Sequence, residues 1–188
     1  MTQALLKPES ELELGLEYTM VIDNLPEYDS LIRYNRMKQE FEPVSYKVFD
    51  AIDTINPKLS EEPKEIEKML IHFGCGPSKY VVFSNPAEDM SEIIIKTTVK
   101  NLKTGKKTIY YVEPYDGKIR VGHGMCSGAF VFNDEKIKVG HGILPEDMHN
   151  NDNYEVEFSF MDSSGNITSM ETPPIEFTRP TKETRFNK

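Results

Sequence analysis

From Glu11 to Met20 apolar and polar residues alternate as Glu-Leu-Glu-Leu-Gly-Leu-Glu-Tyr-Thr-Met. That is the period of a strand with one buried face, so a strand is expected over 11–22. Asp29 or Ser30 can cap a helix in which Leu31, Tyr34, Met37 or Lys38, and Phe41 fall near one stripe. Pro43 ends it, because proline lacks the donor that a helix interior needs. The stretch 44–55 fits two periods: Val44, Val48, Ile52 and Ile55 suit a helix, whereas Val44, Tyr46 and Val48 suit a strand, and the helix is preferred here. A further helix is expected over 60–72. Ser60 is a capping residue, Glu61, Glu62 and Glu65 complement the positive helix start, and Ile66, Met69, Leu70 and Phe73 share a face that Gly74 terminates.

Beyond Gly74 the pattern becomes short runs of β-branched and aromatic residues separated by turn chemistry. Strands are expected at 80–84, 92–101, 107–113, 118–121, 129–133, 136–139, 154–161, 167–170 and 175–178. The segments Asn101-Leu102-Lys103-Thr104-Gly105-Lys106 and Asp162-Ser163-Ser164-Gly165-Asn166 are glycine-bearing turns that fold adjacent strands back as hairpins. Regular spacing of this kind predicts an antiparallel sandwich or barrel. Strand alternation places Phe158 and Phe160 inward and Glu157 and Ser159 outward. Residues 179–188 are polar, contain Pro180, and are expected to form a tail over the surface.

One of these hairpins carries a resemblance. Tyr154-Glu155-Val156-Glu157-Phe158-Ser159-Phe160-Met161, then Asp162-Ser163-Ser164-Gly165-Asn166 and a following strand, resembles the last hairpin of bacterial and phage immunoglobulin-like domains. Over residues 154–178 the resemblance implies a sandwich and transfers no functional residue.

Charge narrows the function classes. The 188 residues carry 31 acids and 22 bases, a net charge of -9. Residues 1–73 hold 15 acids and 8 bases, and residues 74–188 hold 16 and 14. An acidic chain repels phosphate backbones, so no nucleic-acid partner is expected. No run approaches the roughly 18 apolar residues that would span a bilayer, and no signal peptide is visible at the start, so no membrane partner and no signal-directed secretion are expected. The expected location is the cytoplasm or an assembled virion, where free thiols are the default for the two cysteines.

Four residues stand apart chemically. His72-Phe73-Gly74-Cys75 and His123-Gly124-Met125-Cys126 use both cysteines and two of the four histidines in one H-x-x-C spacing. Two such loops brought together would give a nitrogen and sulfur donor set suited to zinc, or, with an open position, to iron or copper. His141 and His149 are further candidate ligands. The competing account is two buried thiols beside glycine turns. An internal echo, Lys118-Ile119-Arg120-Val121-Gly122-His123-Gly124-Met125 and Lys136-Ile137-Lys138-Val139-Gly140-His141-Gly142-Ile143, ends two expected strands in G-H-G turns. A second cluster, Lys96, Lys100, Lys103, Lys106 and Lys107, makes one hairpin a positive patch. Its complement is an acidic surface such as the N-terminal region of another copy; lysines that protect a sheet edge are the alternative reading.

Together these features predict an α+β chain: an N-terminal strand and two or three helices over 1–73, packed on an antiparallel immunoglobulin-like β-sandwich over 74–178, with a tail over 179–188. No catalytic signature is present, so an enzyme is not expected. The expected function is a structural or interaction subunit of a larger assembly, virion-like or multisubunit, with protein subunits, self or heterologous, as partners and no cofactor. The alternative is a metal-binding protein, a redox protein or metal carrier, using His72, Cys75, His123 and Cys126.

Overall fold

The computed structural model describes residues 8–22, 32–35, 37–48, 53–73, 76–124, 130–132, 153–170 and 172–184. Among the described residues there is no helix, and the chain is all-β where the sequence pattern predicts α+β. Contacts divide it into two compact units, residues 5–52 and, together with the first four residues, 53–188.

In the smaller unit β1 (Glu17–Thr19) pairs antiparallel with β4 (Ser45–Lys47), setting Tyr18 opposite Tyr46. The strand expected over 11–22 is present only as β1. The helix expected over 29–41 is instead a hairpin of β2 (Ile32–Asn35) and β3 (Glu40–Pro43). Its turn explains the difference. The Asn35 side-chain oxygen accepts hydrogen bonds from the amides of Met37 and Lys38, at 3.0 and 3.2 Å, and Gln39 takes a left-handed φ of 56°. An asparagine bonding its own backbone two and three residues on stabilises a turn in place of a helical ladder. The expected stripe is not a face: Met37 is 94% exposed and Phe41 68%. The helix preferred over 44–55 is also overturned, because its start is β4.

The larger unit holds β5 (Lys58–Leu59), β6 (Glu65–Phe73), β7 (Gly76–Ser84), β8 (Ala87–Glu88), β9 (Ile93–Asn101), β10 (Lys107–Val112), β11 (Lys118–His123), β12 (Asn153–Asp162) and β13 (Ile175–Thr178). Two antiparallel sheets make its body, one in the order β11-β7-β6 and one in the order β10-β9-β12-β13. They pack face to face. Val81, Phe83, Ile119 and Val121 of the first meet Ile95, Val99, Val156, Phe158, Phe160 and Phe177 of the second in one buried cluster. The Phe83 ring meets Phe158 and Phe177 edge-on, with centroids 5.3 and 5.7 Å apart. This is a β-sandwich core, with inward residues alternating along each strand. On β12 the alternation is as expected: Phe158 and Phe160 are buried, Glu157 is exposed and Ser159 half-buried.

The helix expected over 60–72 is β6 for most of its length. Ser60 caps nothing; its amide and hydroxyl both donate to the Pro86 carbonyl. From Glu65 to Phe73 the strand lies along β7, with a bulge between Glu65 and Glu67. Strong helix formers are overridden by the ladder to β7, since tertiary pairing outweighs propensities of a few tenths of a kcal/mol per residue. Only Leu70 of this strand is buried. The tail returns to it: the Thr184 amide donates to the Leu70 carbonyl at 2.8 Å, and the Leu70 amide donates to the Thr184 hydroxyl at 3.0 Å.

Of the other expected strands, 129–133 contributes Phe130 and Phe132 to the core without forming a strand at the described 130–132, and 167–170 is reduced to a single bridge between Ile167 and Met161. The expected strand 136–139 lies outside the described residues.

Candidate functional site

β6 and β11 both run antiparallel to β7 and flank it, so they finish at the same end of their sheet. His72 lies near the end of β6 opposite Pro77, and His123 ends β11 opposite Lys79. The fold therefore brings the two histidine-bearing strand ends to one end of one sheet. Their strand axes are about 10 Å apart there, twice the spacing of neighbouring strands. Cys75 and Cys126 lie outside the described residues, as do His141 and His149. His72 is exposed. The imidazole of His123 is half-buried, its Nδ1 has no hydrogen-bond partner, and its ring lies 6.5 Å from Phe132. Burial, and after it the neighbouring charge of Lys79, lowers its pKa to about 4.

Gly122 makes this approach possible. Its φ is +145°, and a Cβ there would be driven into the Lys79 carbonyl and to 3.0 Å from the Phe132 ring. Only glycine lets the end of β11 come so close to β7.

The lysine cluster maps to the β9–β10 hairpin. Asn101 builds its turn, accepting at its side-chain oxygen from the amides of Lys103 (2.9 Å) and Thr104 (3.0 Å), while Gly105 takes a φ of +74°. Lys103, Lys106 and Lys107 are exposed at this tip, and Lys96 is exposed on the outward face of β9. On that face three cross-strand rows run from β10 to β12: Lys107, Lys100 and Glu155; Ile109, Thr98 and Glu157; Tyr111, Lys96 and Ser159. The ammonium of Lys100 is 3.4 Å from the Glu155 carboxylate. Sequence reasoning treats this lysine as uncompensated because Glu155 is far away in the chain; the pair exists only through the β9–β12 register. Ile109 contributes an exposed apolar side chain to the middle row.

A third cluster escapes the sequence reading. Carboxylate oxygens of Asp53, Asp89 and Asp162 lie within 4.8 Å of one another. Asp53 accepts from the Ile55 amide at 2.9 Å and the Ser91 hydroxyl at 2.8 Å, and these two bonds, in that order, hold its carboxyl below the usual range against an opposing effect of burial. Asp89 accepts from the Ser91 amide at 2.8 Å. Asp162, 1% exposed, accepts at both oxygens from Asn166, whose side-chain amide also donates to the Asp53 carbonyl. An all-oxygen set suits hard cations such as calcium or magnesium. Here the oxygens are also engaged by Ser91 and Asn166, which tie three loops together. The local signals were Asp89-Met90-Ser91 and Asp162 four residues before Asn166; their convergence is not legible from spacing.

In the smaller unit an open polar cleft of about 550 Å³ is lined by Glu17, Thr19, Asn35, Lys38, Glu42 and Ser45 with Pro43. Its groups bond one another: Ser45 donates to Glu17 at 2.6 Å, and Asn35 and Lys38 donate to Glu42 at 3.0 and 3.2 Å. In the same unit Leu14, Leu16, Val21, Ile22, Phe41 and Tyr46 are exposed.

No protein-family model matches the chain, and neither does any curated protein or solved structure.

Proposed function

We propose that the protein is a non-catalytic structural or interaction subunit of a larger assembly, virion-like or multisubunit, acting in the cytoplasm or within the assembled particle. The observation that carries this reading is the state of the smaller unit. Among its described residues none is buried, while large apolar side chains along 12–22 and at Phe41 and Tyr46 face outward. A unit of this size cannot form a sufficient core alone, and exposed apolar surface of this extent marks a binding face. Among the described strands of the sandwich, taken in chain order, the first, second and fifth (β6, β7, β11) form one sheet, and the fourth, third, sixth and seventh (β10, β9, β12, β13) form the other. This Greek-key plan supports the immunoglobulin-like resemblance of residues 154–178, an analogy of fold and not of function. Cross-linking in native extracts, followed by identification of the linked chains, tests the proposal. Partner subunits or further copies are expected; a protein recovered alone and sedimenting as a monomer refutes it.

A second reading has one observation in its favour. The strand ends carrying His72 and His123 finish on either side of β7 at the same end of the sheet, which is compatible with zinc, iron or copper held by His72, Cys75, His123 and Cys126. Elemental analysis of protein purified without an affinity tag decides it. Less than stoichiometric metal removes the reading.

A further inference from the structure

We propose that residues 9–14 of one copy add as a strand along the outer side of β10 in a second copy, with their glutamates against the lysine-bearing face of the β9–β10 hairpin. This rests on the reading of the protein as an interaction subunit and names the contact. Three observations converge on it.

The donor segment alternates acidic and apolar residues from Glu11 to Leu14 and, among the described residues, pairs with no strand. Glu9, Ser10, Glu11, Leu12, Glu13 and Leu14 are all exposed, with Leu12 37% and Leu14 62% accessible. Within 9–13 only Glu13 uses its backbone groups among the described residues: its amide donates to the Tyr18 hydroxyl, and its carbonyl accepts from Leu16. As a strand the segment would place Glu9, Glu11 and Glu13 on one side and Leu12 and Leu14 on the other.

The acceptor is a sheet edge of matching character. Among the described residues β10 pairs with β9 alone. Its outward side presents Lys107, Ile109 and Tyr111, flanked by Lys100 and Lys96. Its inward side presents Thr108, Tyr110 and Val112, with Tyr110 in the core and Val112 packed against it. Lys107 stands directly opposite Lys100, whose ammonium is already paired with Glu155, and an incoming carboxylate would give Lys107 an opposite charge of its own. A strand laid beside β10 would align its glutamates with the lysine side and its leucines with the apolar side. Lys107 to Tyr111 and Glu9 to Glu13 each span about 13 Å when extended, so one register serves both ends.

The charges complement locally as well. Residues 5–52 carry 10 acids against 5 bases, whereas the hairpin contributes five lysines within 96–107. Strand addition of this kind takes affinity from main-chain hydrogen bonds and selectivity from alternate side chains.

The test uses the full chain. Sedimentation velocity at low salt should show concentration-dependent association that weakens as salt rises and screening shortens. Lys96→Glu with Lys107→Glu should weaken association about tenfold, and so should Glu9→Lys with Glu11→Lys and Glu13→Lys. Mixing the two variants should restore it, since each then offers the other a complementary surface. Hydrogen exchange should show residues 9–14 and 107–112 becoming protected together as concentration rises. Association unchanged by both reversals, or protection at other strands, overturns this contact and leaves the assembly reading standing. A chain that stays monomeric under every condition also overturns it, whereas the assembly reading then falls only if native extracts yield no partner.

Discussion

Truncating Phe158 to alanine removes a ring that is 5% exposed, lies edge-on to Phe83 at 5.3 Å and sits tilted against Phe160 at 6.3 Å. The lost transfer free energy of a buried aromatic is about 1.5–3 kcal/mol. A residual cavity on the order of 60–100 Å³, at about 24 cal/mol per Å³, adds roughly 1.5–2.5 kcal/mol. A destabilisation of about 3–5 kcal/mol is therefore expected, a large share of a stability typically of about 5–15 kcal/mol. Guanidinium titration followed by circular dichroism would show the midpoint falling with little change in slope. Glu157→Ala, one residue away on the exposed face, is the control and should change stability by less than about 0.5 kcal/mol. A loss below about 1 kcal/mol for Phe158→Ala, or equal effects at the two positions, would refute the register, because a one-residue slip exchanges the faces of the strand.

Gly122→Ala should cost at least about 2 kcal/mol in thermal or denaturant unfolding, since it combines a positive φ with a Cβ directed into the Lys79 carbonyl; a neutral effect would mean that β11 does not approach β7 as described. Asn166→Ala should destabilise by about 1–3 kcal/mol, because it removes the side-chain amide from buried Asp162 and from the Asp53 carbonyl, and calorimetry showing no change would dissociate this residue from the loop tie. Burial, and after it the charge of Lys79, lowers the His123 pKa in the folded chain to about 4, below the ordinary imidazole value of 6.5. The unfolded chain therefore binds the extra proton first, and the contribution is full above about pH 6.5 and declines as pH falls to about 4. His123→Gln should flatten the stability profile in that window, and an unchanged slope would assign the loss elsewhere. Asp53, whose carboxyl the Ile55 amide and the Ser91 hydroxyl hold below the ordinary carboxylate value of 3.8, acts in a lower window: its contribution is present above that value and fades as pH falls through the folded pKa. Asp53→Asn should reduce the further loss below about pH 4.

Why some elements were legible and others not follows from where each pattern gets its meaning. The sequence reading of 92–101, 107–113, 154–161 and 175–178 lies within a residue or two of β9, β10, β12 and β13. β9 and β12 bury one full face, so burial writes period two into them; Ile93, Ile95, Thr97 and Val99 alternate strictly with outward residues. β6 lies at a sheet edge with one buried side chain, and Glu65, Lys68, Met69 and Leu70 retain helical preferences that no face contradicts. In the β2–β3 hairpin the deciding bond is a side chain to its own backbone at Asn35, which an apolar stripe does not reveal. The histidine-bearing strand ends share a sheet end because of β6-β7-β11 pairing, a property of topology, and the aspartate cluster joins residues from three distant loops. Lys100 and Glu155 were both visible as charges, but only the β9–β12 register made them a pair.

The bonds between Thr184 and Leu70 give the tail a consequence for how the protein can be handled and processed. They occupy both main-chain groups of the one β6 residue that is fully buried, at the middle of an edge otherwise open among the described residues. The tail thus acts as a latch, and its release would present the sticky side of a strand bearing Ile66 and Phe73 already half in solvent. Proteolytic clipping before Thr184 would free both main-chain groups of Leu70 and favour edge-to-edge pairing while leaving the core of the sandwich intact.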